Sequence, residues 1–268
     1  MTEISAAMVK QLRDATSAGM MDCKRALVDT NGDFDEAVKL LREKGMASAA
    51  KRADRETSEG KVGVMVRENV GALVAIGCET EPVSNNDEFL AYAKDVIDAV
   101  FAKGADAASE LEEQRVALTA KLGENIQVAG AKRMEAGDGE VLSYYVHGPA
   151  NKVGALVRTK GGDAASARSL ALHLTFARPT YATRDEVPQE LVDAEREILS
   201  HSEEVLSKPE DVREKIVEGQ LNKKFYGEAV LTEQTWYRAD ESTATAGKYL
   251  QEQGIELLDY AWYAVSAN

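Results

Sequence analysis

Cysteine and histidine are scarce in this 268-residue chain: Cys23 and Cys78 of the first, and His147, His173 and His201 of the second. The histidines have none of the spacings that place two on one helix face, and neither HExxH nor CxxC occurs, so no zinc site or paired-thiol redox motif is expected. Two isolated cysteines fit a reducing compartment, with one long-range bridge left open. Positive charge is also in short supply. Against 46 Asp and Glu stand 32 Lys and Arg, a net charge of -14. Nucleic-acid affinity rests largely on Lys and Arg displacing counterions, so direct DNA or RNA binding is not expected. No apolar run approaches the roughly 20 residues of a membrane helix, and the start MTEISAAMVK lacks the basic-then-apolar order of a secretory signal. The chain therefore reads as cytoplasmic, with no membrane partner. A phosphate-binding loop is missing too: the Gly-Lys pairs, Gly60-Lys61 and Gly247-Lys248, both lack the upstream glycine and the Ser/Thr that would hold magnesium. No GxSxG nucleophile motif appears.

What remains is an ordinary globular composition, 44% hydrophobic and 29% charged, in a chain long enough for one large or two medium domains. Residues 1–50 read as a three-helix module. Met8, Val9 and Leu12 mark the first helix. Asn31-Gly32 closes a second that starts near Met20, and Asp33 with Glu36 has capping-box spacing ahead of a third that ends at Gly45. Residues 51–60, KRADRETSEG, have almost no large apolar groups and read as a linker. The pentapeptide VGALV then occurs twice, at Val70–Val74 and Val153–Val157, each time after another strand-like run and before an amphipathic helix. This order predicts an α+β fold of two duplicated subdomains with antiparallel sheets, 61–140 and 141–268.

Inside the second subdomain, Leu191/Val192, Ile198/Leu199 and Val205/Leu206 recur every seven residues up to Lys208-Pro209, and the pattern resumes at Val212. Residues 186–224 are thus expected to form an antiparallel helical hairpin. Between Asp185 and Glu218, 12 acidic residues face 4 basic ones, as on a solvated arm. Beyond it, Glu228–Trp236 reads as a strand, Thr243–Gln253 as a helix and Ile255–Val265 as a final strand.

The segment CETEPVSNN, residues 78–86, ends the first VGALV strand and carries the strongest candidate chemistry. Glu79 and Glu81 alternate along it and are able to point the same way, as a metal-ligating or acid/base pair must, but no third polar partner lies near them in sequence. Gly161-Gly162 before a helix is a second, weaker candidate, for an anion. No cofactor is implied. The balance favours a protein that binds a partner over one that performs covalent chemistry.

The stretch LRDATSAGMMDCKRALVDTNGDFDEAVKLLREKG (Leu12–Gly45), then KLGENI (Lys121–Ile126), His147-Gly148 and VEGQLNKKFYGEAVLTEQ (Val217–Gln234), closely resembles the bacterial translation elongation factor Ts family over essentially the whole chain. The resemblance implies a ubiquitin-associated-type (UBA-like) N-terminal module and a coiled-coil arm. It also implies a guanine nucleotide exchange factor that binds the GTPase elongation factor Tu and expels GDP, and is not an enzyme. The residues it would place at the partner are Leu12, Met20 and Met21, then Leu122, Gly123 and His147, and the loop Thr80, Glu81, Pro82 and Val83, which disturbs the GTPase's magnesium site. The family usually has Thr-Asp-Phe-Val at that loop; here proline replaces the aromatic wedge, which predicts a stiffer and shallower tip. A UBA-like adaptor for helical partners, without exchange activity, is the alternative.

Overall fold

The computed structural model describes residues 4–16, 18–238 and 240–265. It is an α+β protein with two three-stranded sheets, and it divides into two compact units. One comprises the chain up to Met134, 146–154 and the residues from Tyr263 on; the other comprises 135–145 and 155–262.

The first unit runs α1 (Ala6–Thr16), α2 (Met20–Asp29), α3 (Phe34–Ala50), β1 (Glu59–Arg67), β2 (Val70–Cys78), the single turn α4 (Glu81–Ser84), α5 (Asp87–Lys103), α6 (Glu112–Leu122) and β3 (Gln127–Glu135). Helices α1 to α3 enclose a core of Val9, Leu12, Cys23, Ala26, Leu27, Ala37 and Leu41. The Asp33 carboxylate accepts from the Glu36 N–H at 3.0 Å, as its spacing predicted. Helix α3 does not stop at Gly45 but continues to Ala50. Gly45 faces α6, where an added Cβ would lie 3.8 Å from both Ala120 and Val116. That is ordinary contact distance, so α6 would accept a methyl there, and packing against it carries α3 through the glycine despite a helix penalty of about 1 kcal/mol.

Strands β1 and β2 pair antiparallel, with Glu59 opposite Cys78 and Arg67 opposite Val70. β2 is the central strand of β1-β2-β3 and is buried continuously from Gly71 to Cys78. A strand covered on both faces has no polar side to show, hence the unbroken apolar run. From α5, Phe89, Val96 and Val100 pack on Ala72, Val74 and Ile76, each large side chain contributing about 1.5–3 kcal/mol by leaving water. The predicted linker is not free chain. Asn125, fully buried, donates its amide to the carbonyls of Ala53 and Arg55 at 3.2 and 2.8 Å, and β1 has already begun at Glu59.

The second unit is built on β4 (Glu140–Val146), β5 (Val153–Lys160), α7 (Ala164–Ala177), α8 (Gln189–Ser200), the single turn α9 (Glu203–Leu206), α10 (Glu210–Gln220), α11 (Gly227–Ala229), α12 (Ala246–Glu252) and β6 (Glu256–Ala264). Its sheet order, β4-β5-β6, repeats the first: a hairpin whose second strand is central, a helix, then a third strand beside that central one. Ala155, Val157, Leu170, Leu174, Leu231 and Trp236 lie in its core.

Two expectations fail here. The heptad helix breaks at His201-Ser202, ahead of Lys208-Pro209. Ser200 and Ser202 hydroxyls donate to the carbonyls of Glu197 and Leu199, and the Ser202 oxygen then caps the N–H of Val205. Such local side-chain bonds compete with the helix ladder. Of each apolar pair, Val192, Leu199 and Val205 are buried, whereas Leu191, Ile198 and Leu206 are exposed. Residues 228–236 are not a strand either. They hold the end of α11 and a 3-10 turn, Leu231–Glu233, with Tyr181–Val230 and Thr235–Thr245 as isolated bridges. Val230 and Leu231 are adjacent and both fully buried, which alternation in a one-sided strand forbids. Among the described residues no helix is long and apolar enough to cross a membrane.

Candidate functional site

The segment after β2 is fastened by a neighbour 44 residues away. Glu124 follows Gly123, which ends α6 in the left-handed conformation at φ 78° that glycine adopts without strain. One Glu124 oxygen accepts from the backbone N–H groups of Glu79 and Thr80, both at 3.0 Å, and the other accepts from the Thr80 hydroxyl at 2.6 Å. The bond is returned in the other direction. Glu79 accepts from the Asn125 N–H at 2.7 Å and pairs with Arg55 at 3.3 Å. Arg52 Nε in turn donates to the Gly123 carbonyl at 3.0 Å. Charged acceptors on backbone donors are among the stronger hydrogen bonds, so the two turns, 79–84 and 122–125, are held as one surface.

Past Thr80 the chain makes the single turn of α4. The Ser84 N–H donates to the Thr80 carbonyl at 3.1 Å, and Asn86 caps α5 by accepting from the N–H groups of Glu88 and Phe89. Pro82 is the second residue of this turn, where a missing N–H costs nothing because first-turn donors have no helical partner. Thr80, Glu81 and Pro82 are exposed; Val83 is half-buried against the α5 core and Ser84 is buried. The tip therefore consists of three residues, with Val83 serving mainly as its root.

Glu79 and Glu81 do not form a carboxylate pair. The first is turned inward to Asn125 and Arg55, and the second starts α4 in solvent. Cys78, also at the strand end, donates to the Thr80 carbonyl at 3.3 Å, and burial above all, with the Glu124 charge nearby, pushes its thiol up to about 12. It stays a thiol and is no nucleophile at neutral pH. Both cysteines are free and buried, which closes the question of a bridge. The Gly161-Gly162 turn offers no anion site: the carboxylate of Asp163 occupies the start of α7, accepting from the Ser166 N–H at 2.8 Å.

The remaining expected contacts divide. Met20 and Met21 are 51% and 63% exposed on α2. Leu122 is half-buried against the first core, beside Gly123. His147 is exposed at the end of β4, on a turn fastened to β1: Val62 N–H donates to the Asn151 carbonyl, Lys61 to Ala150, and Lys152 pairs with Glu59 at 2.6 Å. Since Glu59 to Val62 lie opposite Ala75 to Cys78, the His147 turn is tied to the sheet end from which the 80–82 tip projects. Leu12 requires a correction. It is completely buried in the three-helix core, because its position on α1 faces Cys23 and Leu27, and it supports the module without reaching the surface. The fastening residues Glu124, Asn125, Arg52 and Arg55 were not anticipated; no spacing in the sequence links them to residue 80.

A family model described as Elongation factor TS matches residues 79–267. The chain belongs to the elongation factor Ts family. Curated members agree along nearly their whole length. The elongation factor Ts of Thioalkalivibrio sulfidiphilus is 38% identical over 275 residues, covering 98% of this chain and 92% of that protein. Elongation factor Ts of Vibrio cholerae serotype O1 is 39% identical over 254 residues, covering 94% and 88%, and that of Pediococcus pentosaceus is 38% identical over 275 residues, covering 99% and 93%. Membership of the elongation factor Ts family makes this chain a translation elongation factor, and the match begins at Glu79, the first residue of the fastened turn.

Proposed function

We propose that the protein binds elongation factor Tu in its GDP form, in the cytoplasm, and promotes GDP release so that GTP rebinds. No bond is made or broken. The factor holds the empty GTPase more tightly than the nucleotide-bound one, and by linkage GDP weakens the factor's hold by the same ratio. Magnesium demands near-ideal octahedral geometry. A firm tip pressed beside it shifts its ligands and loosens the phosphates.

The observation that carries this reading is the exposed Thr80–Pro82 tip, fastened at its base by Glu124 and at its far end by the Asn86 cap. Proline supports it in one respect: the ring suits the α4 turn and stiffens it. In this reading 1–50 is a UBA-like module presenting Met20 and Met21, 51–60 joins it to the core, and 61–140 and 141–268 are the core subdomains. Residues 186–224 act as a coiled-coil arm, and Leu122, Gly123 and His147 provide further contacts.

The test is release of a fluorescent GDP analogue from elongation factor Tu, with wild type, Pro82→Ala and Pro82→Phe. Wild type accelerates release, alanine lowers the limiting rate and phenylalanine restores or raises it. Unchanged release with alanine removes the tip from the mechanism, and no acceleration by wild type removes the exchange function.

A further inference from the structure

We infer that Glu124 is a positioning residue for nucleotide release, acting through the tip it holds; this rests on the exchange reading above. Its carboxylate is the sole side-chain group that the described residues offer to the N–H groups of both Glu79 and Thr80, and it takes the Thr80 hydroxyl as well. Thr80 begins α4 yet its hydroxyl makes no cap bond to that turn, because it is given to Glu124. At the other end Val83 packs inward, Ser84 is buried and donates its hydroxyl to the Glu81 carbonyl, and Asn86 caps α5. Only Glu81 and Pro82 stand between anchored residues. A tip this short does not yield when pressed against a metal site.

Glu124 itself is one residue from Gly123, whose carbonyl is held by Arg52, and its neighbour Asn125 holds Glu79 in the reverse sense. The carboxylate is thereby aimed from a fixed base. Without it, two backbone donors and a hydroxyl turn to water, and the segment from Cys78 to Val83 gains freedom that contact with the GTPase must remove again. Contact energy that would displace magnesium ligands is then used up in ordering the tip. The loss falls on the release step more than on initial binding, to which Met20, Met21 and His147 also contribute.

The experiment has two readouts. In the free factor, amide hydrogen exchange at Glu79 and Thr80 should quicken at least tenfold in Glu124→Ala, while exchange across Ala72–Ile76 stays as in wild type. With the GTPase, the limiting rate of GDP release should fall about tenfold and the half-saturating concentration should move less than twofold. Glu124→Gln should recover most of the rate, to within about threefold, because its amide oxygen still accepts from the two N–H groups and its nitrogen donates to Thr80. Should the alanine variant not fold, Glu124→Gln with Thr80→Val carries the test, and the pair should release GDP more slowly than Glu124→Gln alone. The inference is overturned if Glu124→Ala, or that pair, leaves the limiting rate unchanged, or if the loss appears only in half-saturation. If wild type itself does not accelerate release, the exchange reading fails, and quickened exchange at Thr80 would still establish the latch.

Discussion

Acid should destabilise the second unit, and His173 sets the window. Its ring is completely buried, stacked on Trp236 at 4.9 Å between centroids, with Nε2 3.0 Å from the Gln234 side-chain oxygen. Gln234 gives its amide hydrogens to the carbonyls of Ala177 and Glu228, so its oxygen faces the ring and Nε2 carries the proton. A second proton must go to Nδ1, which is buried without a partner among the described residues. Burial accordingly lowers the pKa from 6.5 to about 4, against the opposing effect of the hydrogen bond that Nε2–H donates to Gln234. Between those values the unfolded chain binds the proton and the folded chain does not, so stability rises with pH. The contribution is full above about pH 7, lost progressively below 6.5 and exhausted near 4, about 3 kcal/mol in all with about 2 gone by pH 5. Urea unfolding followed by tryptophan fluorescence reads this unit selectively, because both tryptophans, Trp236 and Trp262, belong to it. His173→Gln keeps a donor toward Gln234 and does not titrate. Wild type should lose about 2 kcal/mol more than the variant between pH 7 and pH 5; equal losses would refute the argument.

Leu12→Ala should lower the stability of the first unit by about 2–4 kcal/mol, as truncation of a fully buried leucine does. Exposed Met21→Ala should leave the melting temperature within a degree or two and weaken GTPase binding severalfold in calorimetry. A larger thermal loss from Met21→Ala than from Leu12→Ala would reverse the assignment of core and contact. Gly45→Ala, for which the α3–α6 gap has room, should raise stability by about 0.5–1 kcal/mol in chemical unfolding, and a loss would mean the helices are closer than 3.8 Å allows.

Local signals proved readable where a residue's role is set by its neighbours in sequence. Asp33 caps α3 and Asn86 caps α5 at their expected places, and Asn31-Gly32 turns left-handed at φ 53° and 87° after α2. The repeated VGALV strands are both central strands. Errors came where a distant element decided. Gly45 looks like a helix stop until α6 lies against it. The 51–58 stretch looks like solvated linker until Asn125 takes its carbonyls. In 228–236 the side chains fit a strand pattern, but Gln234 reaches Ala177 and His173, and the backbone turns to let it.

Most helices and strands, the duplicated order and the caps at Asn31-Gly32, Asp33 and Asn86 are written in the local sequence, because periodicity and turn chemistry act over a few residues. Which residues face out, and which distant residues hold them, is set by long-range packing. Leu12 went into the core while Met21 stayed outside, Val83 became a root, and Glu79 parted from Glu81 to join Glu124, Asn125 and Arg55. A carboxylate finds its donors by spatial proximity, and 44 residues of intervening helix and turn carry no periodic signal that would announce the meeting.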